Sequence, residues 1–188
     1  MSYGMARDDA LSLVNEHLKN PNMIKHCLAT EAVMKALAEK LGENPEKWGL
    51  AGLLHDLDAE ATADDLSIHT HETVKILKGK GLNDEIIEAI RLHNEHAHPE
   101  KRSTVFQHAL AAGETITGLI IATALVYPDK KLASVKAKSV KKRFKEKAFA
   151  AGANRDIIRE CEKCGLELGG FAELCLTAMQ GISDDLGL

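Results

Sequence analysis

Apolar residues recur at three- and four-residue spacing along most of the chain, and its four prolines fall between these runs, so the pattern predicts a string of helices. Leu11, Val14 and Leu18 mark an amphipathic helix over residues 8–19, and Pro21 opens a longer one that continues to about Leu41. Asn44 is placed to cap a helix with Pro45 at its first position, which carries Trp48, Leu50, Leu53 and Leu54 toward His55. After an acidic connection, a helix over residues 70–77 ends at Gly79 and Gly81, and Asn83 caps the next, which runs through Ile86, Ile87 and Ile90 to about His93. Thr104 and Gln107 have capping-box spacing before an apolar helix that continues to Tyr127, where Pro128 follows. The remaining third reads as two or three shorter helices, with Ser139 and Asn154 as caps, and a final helix over residues 171–180. No alternating strand pattern, internal repeat or low-complexity segment interrupts this. The expected fold is all-α, a single domain over residues 1–188 with its core at about 20–127 and a short C-terminal helical extension at about 128–188.

Composition agrees with helices: of 188 residues 45% are hydrophobic but only 4% aromatic, so aliphatic side chains must build the interior. The net charge of −4 hides an asymmetry, because residues 130–147 hold nine Lys or Arg against one Glu and leave the remainder acidic. With Phe144 and Phe149 its only aromatics, that basic segment reads as a solvated helix face, and nucleic acid is not an expected partner. The N-terminal residues lack a basic region followed by an apolar stretch, which points to a cytoplasmic protein. The most apolar run, residues 109–126, is broken by Glu114 and falls short of the ~20 residues of a membrane span, so it is expected as a buried central helix with no membrane partner. Cys27, Cys161, Cys164 and Cys175 should stay reduced; Cys161 and Cys164 lack a second ligand pair at zinc-ribbon spacing and are expected to serve packing.

Several of the nine histidines lie on apolar stripes. His26 follows Met23, Thr30, Val33 and Leu37, and His93 extends the stripe of Ile86 and Ile90. Glu114 shares its face with Leu110, Thr117 and Ile121, where an ionised carboxylate needs a partner, either a structural histidine or a cation. His55 and Asp56 are adjacent at the end of an apolar helix and diverge by about 100°, so both reach one ion only if it lies beside the helix end. With His26, His69, His93 and Glu114 on other helices, this pair suggests a mixed nitrogen and oxygen metal cage.

The order His26, His55-Asp56, His69, His93 and a late acid resembles the HD superfamily of metal-dependent phosphohydrolases over roughly residues 20–127. Thr117-Gly118-Leu119-Ile120 and Tyr127-Pro128-Asp129-Lys130-Lys131 are similar to segments of its HDIG-type bacterial members. The resemblance implies an HD-domain helical bundle in which His26, His55, Asp56 and Glu114 hold one metal. Glu114 departs from the usual Asp, and its extra methylene moves the ligand oxygen. In binuclear relatives His69 and His93 would hold a second metal with Asp56 bridging; His71 competes with His69, which the family spacing to Leu77 favours. Asp58 either orients a ligand or accepts a proton from water, with a solvated loop acid as the plain alternative. His96 and His98 fall at the rim, and His17 and His108 are expected as surface or packing residues.

One or two divalent ions per chain, drawn from Fe, Mn, Co, Ni, Zn or Mg, would lower the pKa of water and polarise a phosphoryl oxygen. Asp56 and Asp58 are then the catalytic candidates, and the expected activity is hydrolysis of a small phosphorylated metabolite or nucleotide. The alternatives are a di-iron oxygenase built on the same ligands and a nucleotide-binding regulator with weak turnover.

Overall fold

Asparagine and threonine side chains set five of the ten α-helix starts among the described residues. The computed structural model describes residues 3–188, and among them there are helices and no strand. Helix α1 (Arg7–His17) is followed by α2 (Pro21–Leu41), where Asn20 accepts from the Asn22 amide, and α3 (Pro45–Leu54), where Asn44 accepts from that of Lys47. α4 (His71–Gly79) begins without a side-chain cap of its own, whereas Asn83 caps α5 (Asp84–His93). The reciprocal Thr104–Gln107 capping box opens α6 (Val105–Leu125). The C-terminal part holds α7 (Ala137–Lys145), the single turn α8 (Arg155–Ile158) capped by Asn154, α9 (Leu168–Gln180) and α10 (Ser183–Leu186).

The differences from the sequence pattern are local. Ser139 does not cap α7; it lies inside it, where its hydroxyl meets the Tyr127 hydroxyl at 2.7 Å. α9 starts at Leu168 rather than 171 because Gly169 and Gly170 continue the helix, and α1 and α6 each stop two residues early.

The two longest helices, α2 and α6, form the centre, with α3 and α5 on one side and α9 on the other. By length and composition α6 could cross a membrane, but 72% of its most apolar window is buried in the fold, so its apolar surface is already used by neighbouring helices. The core is aliphatic, with Leu37, Leu53, Ile90, Leu110 and Ile116 almost fully buried around Trp48, and it continues into the C-terminal part through Val140, Phe171 and Met179. Cys161 and Cys164 are buried among these side chains, and burial pushes their thiols up to about 11 and about 12, as expected of packing residues.

α2 and α3 make the closest approach, through Gly52. A Cβ there would sit 2.6 Å from the Thr30 carbonyl oxygen and 2.9 Å from the Glu31 nitrogen, both rigid backbone. Gly113 on α6 faces only side chains of Val33, Met34 and Leu37, at 3.2 to 3.4 Å. Gly52→Ala is therefore expected to lower the unfolding free energy by about 1–3 kcal/mol, and Gly113→Ala by less, in urea titrations followed by circular dichroism.

Candidate metal centre

The apolar helix α3 is buried from Trp48 to Leu54 and delivers His55 at its C-terminal cap, with Asp56 following in the turn. The His55 ring is fully buried, and its Nδ1 donates to the Gly52 carbonyl at 2.9 Å, an orphan acceptor of its own helix end. α5 ends in the same way: His93 Nδ1 donates to the Ile90 carbonyl at 2.7 Å. On α2, His26 Nδ1 donates to Thr117 Oγ1 at 3.0 Å, since that hydroxyl spends its proton on the Glu114 carbonyl. His69, just before α4, donates from Nδ1 to Asp58 Oδ1 at 2.8 Å.

With four Nδ1 protons tethered, four Nε2 atoms turn inward onto Asp56. Its Oδ2 lies 3.6 Å from His26 and 3.4 Å from His55, and its Oδ1 lies 3.2 Å from His69 and 3.4 Å from His93. Each carboxylate oxygen thus faces one imidazole pair, and within each pair the Nε2 atoms are 3.1 Å apart. Glu114 Oε2 completes the first half, 3.9 Å from His26 Nε2. The donor atoms of His26, His55 and Glu114 lie within 4.8 Å of one another, as do those of His55, Asp56 and His93. Across the 3.1 Å His26–His55 gap, rings whose Nδ1 carries the proton face each other with bare Nε2 lone pairs, which a cation between or beside them would relieve; across the His69–His93 gap the second proton of His69 takes that place in the metal-free protein. The donor set therefore fits divalent metal, with His26, His55 and Glu114 in one donor group, His55, Asp56 and His93 in the other, and His69 in neither.

The charges fit as well. Burial holds His55 down at about 3, reinforced by the neighbouring His93 and His26 against the pull of Asp56, so it is neutral and ready to ligate. Burial opposes ionisation of Asp56, but His55, His69, His93 and His26 around it hold its carboxyl well below the usual range. Burial pushes Glu114 up, against His26 and His93. Burial also works against a charged His69, yet hydrogen bonds to Asp56 and Asp58 outweigh it and raise the ring to about 9.

Asp58 occupies both carboxylate oxygens within the fold. Oδ1 accepts from His69 and the Thr70 amide, and Oδ2 accepts from the Glu72 and Thr73 amides, each at 3.1 Å. It caps α4 from across the chain, and despite burial these donors hold it at about 2. Thr70 takes a positive φ of 85°, unusual for a β-branched residue, with its hydroxyl between the Arg91 carbonyl and His98 Nε2. His71 is exposed and donates to the Ala97 carbonyl, outside the donor cluster. His96 lies in the 3-10 turn Glu95–Ala97, and buried His108 pairs with Glu160 at 2.6 Å. Sequence reasoning assigned no role to Thr117, although its face was marked, and none to Arg102. The Arg102 guanidinium donates to the Leu92 and His93 carbonyls and is bidentate to Glu160, a partner 58 residues away that no local pattern signals.

Four imidazoles converging on one buried carboxylate in a helical bundle define the class of protein. The chain belongs to the HD domain family, which it matches over residues 23–125. HD domains are typically metal-dependent hydrolases that bind divalent ions. Ribonuclease Y of Opitutus terrae is 26% identical over 98 residues, 52% of this chain and 18% of that relative, so the chain spans less than a fifth of its length. No solved structure matches the chain.

Two outcomes follow from Asp58 and His69. Asp58→Asn should weaken metal binding about 10–100-fold at the His69–His93 half, lowering metal stoichiometry after dialysis while the His26–His55 half keeps its ion. In the metal-free protein the His69 imidazolium contributes stability that is fully present below pH 6.5 and lost as pH rises through about 9. Metal needs the bare Nε2, so its affinity should rise over the same window, with proton release visible by titration calorimetry in buffers of different ionisation enthalpy. An affinity flat with pH would contradict this.

Proposed function

We propose that the chain is a metal-dependent phosphohydrolase, a phosphatase or phosphodiesterase acting on a small phosphorylated metabolite or nucleotide. The observation that carries this reading is the division of Asp56, one oxygen toward each pair of Nε2 atoms 3.1 Å apart. Divalent metal in such a site supplies Lewis acidity toward a phosphoryl oxygen and toward water. His26, His55, Asp56 and Glu114 would hold one ion, and His69 and His93 with Asp56 a second. Asp58 keeps the His69 proton on Nδ1 and so aims its Nε2 inward; it acts as a positioning residue, since both its oxygens are occupied. His26 and Glu114 also line an open cleft of about 430 Å³, through which a phosphate ester can approach the centre. The name of the relative, a ribonuclease, supports chemistry at phosphodiesters.

Protein stripped of metal and refilled with Mn, Co, Fe, Ni, Zn or Mg is expected to hydrolyse phosphate esters only in the loaded form, and Asp56→Ala to lose both metal and turnover. Hydrolysis surviving in Asp56→Ala would overturn the reading. Iron at two per chain with substrate-dependent oxygen uptake would select the oxygenase alternative instead.

A further inference from the structure

The cleft beside His26 and Glu114 has a floor on α6, at Thr115 and Gly118, and a far wall made by the turn at residues 150–154 with Ile157. That wall lies outside residues 23–125, the part of the chain matched to the HD family. One side chain builds it: the Arg155 guanidinium donates to six backbone carbonyls between Arg143 and Ala153, among them Ala150 at 2.9 Å and Glu146 at 3.2 Å. It holds Ala150 at a φ of 45°, a left-handed conformation unfavourable for alanine.

The wall and floor are bare. Gly118 lies in the interior of α6, where glycine is disfavoured relative to alanine, and a Cβ there would meet nothing within 4 Å. Gly152 also faces open space and has no left-handed φ that would demand glycine. Neither packing nor backbone geometry accounts for these two glycines, a property they share with Gly79 and Gly170, so it is their place in the fold that sets them apart. Both border the cleft.

The cleft is also neutral beyond its metal donors. Among the described residues no Lys, Arg, Phe, Tyr or Trp lines it, and the basic residues Lys142 and Arg143 of α7 border a separate depression with Tyr127. Beyond the His26 ring, which is engaged at the centre, a nucleobase would find no ring or guanidinium plane to stack on, and a second phosphate would find no cation. Asn154, which borders the cleft, spends its side-chain oxygen capping α8, so its amide can offer a ligand only N–H donors. On these observations, and resting on the phosphohydrolase reading, we propose that Gly118 and the turn at 150–154 form the specificity wall of the centre. They admit phosphate esters whose alcohol half is compact, uncharged and hydroxylated, a polyol rather than a nucleoside or an oligonucleotide.

The test uses the full chain carrying Gly118→Leu or Gly152→Leu, with Gly170→Leu, an equally open position on α9 away from the cleft, as control. Both cleft variants should keep their metal content and release it to dipicolinate several-fold more slowly than the control. Unchanged release rates with metal content intact would show that the cleft is not the way in and overturn the proposal, and loss of metal at equilibrium would overturn it by making the glycines structural. In the unmodified chain, β-glycerophosphate should be hydrolysed with kcat/KM above that of adenosine monophosphate or diadenylate, and its KM should rise about tenfold in the cleft variants with kcat little changed. Preference for either nucleotide would overturn the substrate class while leaving the phosphohydrolase reading intact. Failure to hydrolyse any ester by metal-loaded protein would overturn both, and the release rates would still decide whether the glycines form the entrance.

Discussion

The Asp56 carboxylate, buried and shared among four imidazoles, is the constraint around which the other elements are arranged. A lone carboxylate in an aliphatic interior would take up a proton or destabilise the fold. Here, His26, His55, His69 and His93 approach it to between 3.2 and 3.6 Å and keep it ionised. They come from α2, the end of α3, the segment before α4 and the end of α5, so four backbone segments must converge on one carboxylate. The bare Gly52 surface that lets α3 lie against the α2 backbone belongs to this requirement as much as to packing, because it fixes the distance between His26 and His55.

The rings are aimed in two ways that differ in what they cost. His55 and His93 use carbonyls three residues back in their own helices, which are left without a partner at any helix end, so the tether comes with the local structure. His26 and His69 depend on distant partners, Thr117 and Asp58. Asp58 in turn is fixed by the amides at the start of α4, and Thr70 is held in a strained conformation between that carboxylate and His98. The His69 half of the centre is therefore assembled from more long-range interactions than the His55 half, and disturbances of the loop before α4 should reach it first.

What could be read in the sequence is what local periodicity and capping encode. Asn44, Asn83, Thr104 and Asn154 punctuate the chain as their side chains do in space, whereas the Asn20 cap ahead of Pro21 went unread, and the stripes through His26, His93 and Glu114 turn those residues toward one centre. Ser139 misled because a hydroxyl that suits a helix start also suits a tertiary hydrogen bond, and Tyr127 supplied one. The final helix, expected from Phe171, begins three residues earlier because Gly169 and Gly170 continue it. Asp58 stayed open among orienting a ligand, accepting a proton and a solvated loop acid, because the return of α4 onto its oxygens, which buries it, leaves no local pattern. Arg102 with Glu160 and Arg155 with its carbonyls left no pattern at all, since each joins segments whose proximity is a result of folding.

Those two arginines show why the C-terminal part cannot be treated as an appendage to a self-sufficient catalytic core. Arg102 is almost wholly buried, and its guanidinium ties the carbonyl of His93 itself to Glu160, which also receives His108. A buried ion pair of this kind adds little net stability over apolar side chains, but removing one partner leaves an uncompensated charge beside a helix end that carries a metal donor. α9 covers α2 and α6 from the opposite side, and the turn held by Arg155 walls the cleft at His26 and Glu114. The matched family segment supplies the donors, and the residues beyond it supply part of their support and the shape of the approach. Relatives that share the donors but not residues 130–188 can therefore share chemistry at the centre while differing in what reaches it.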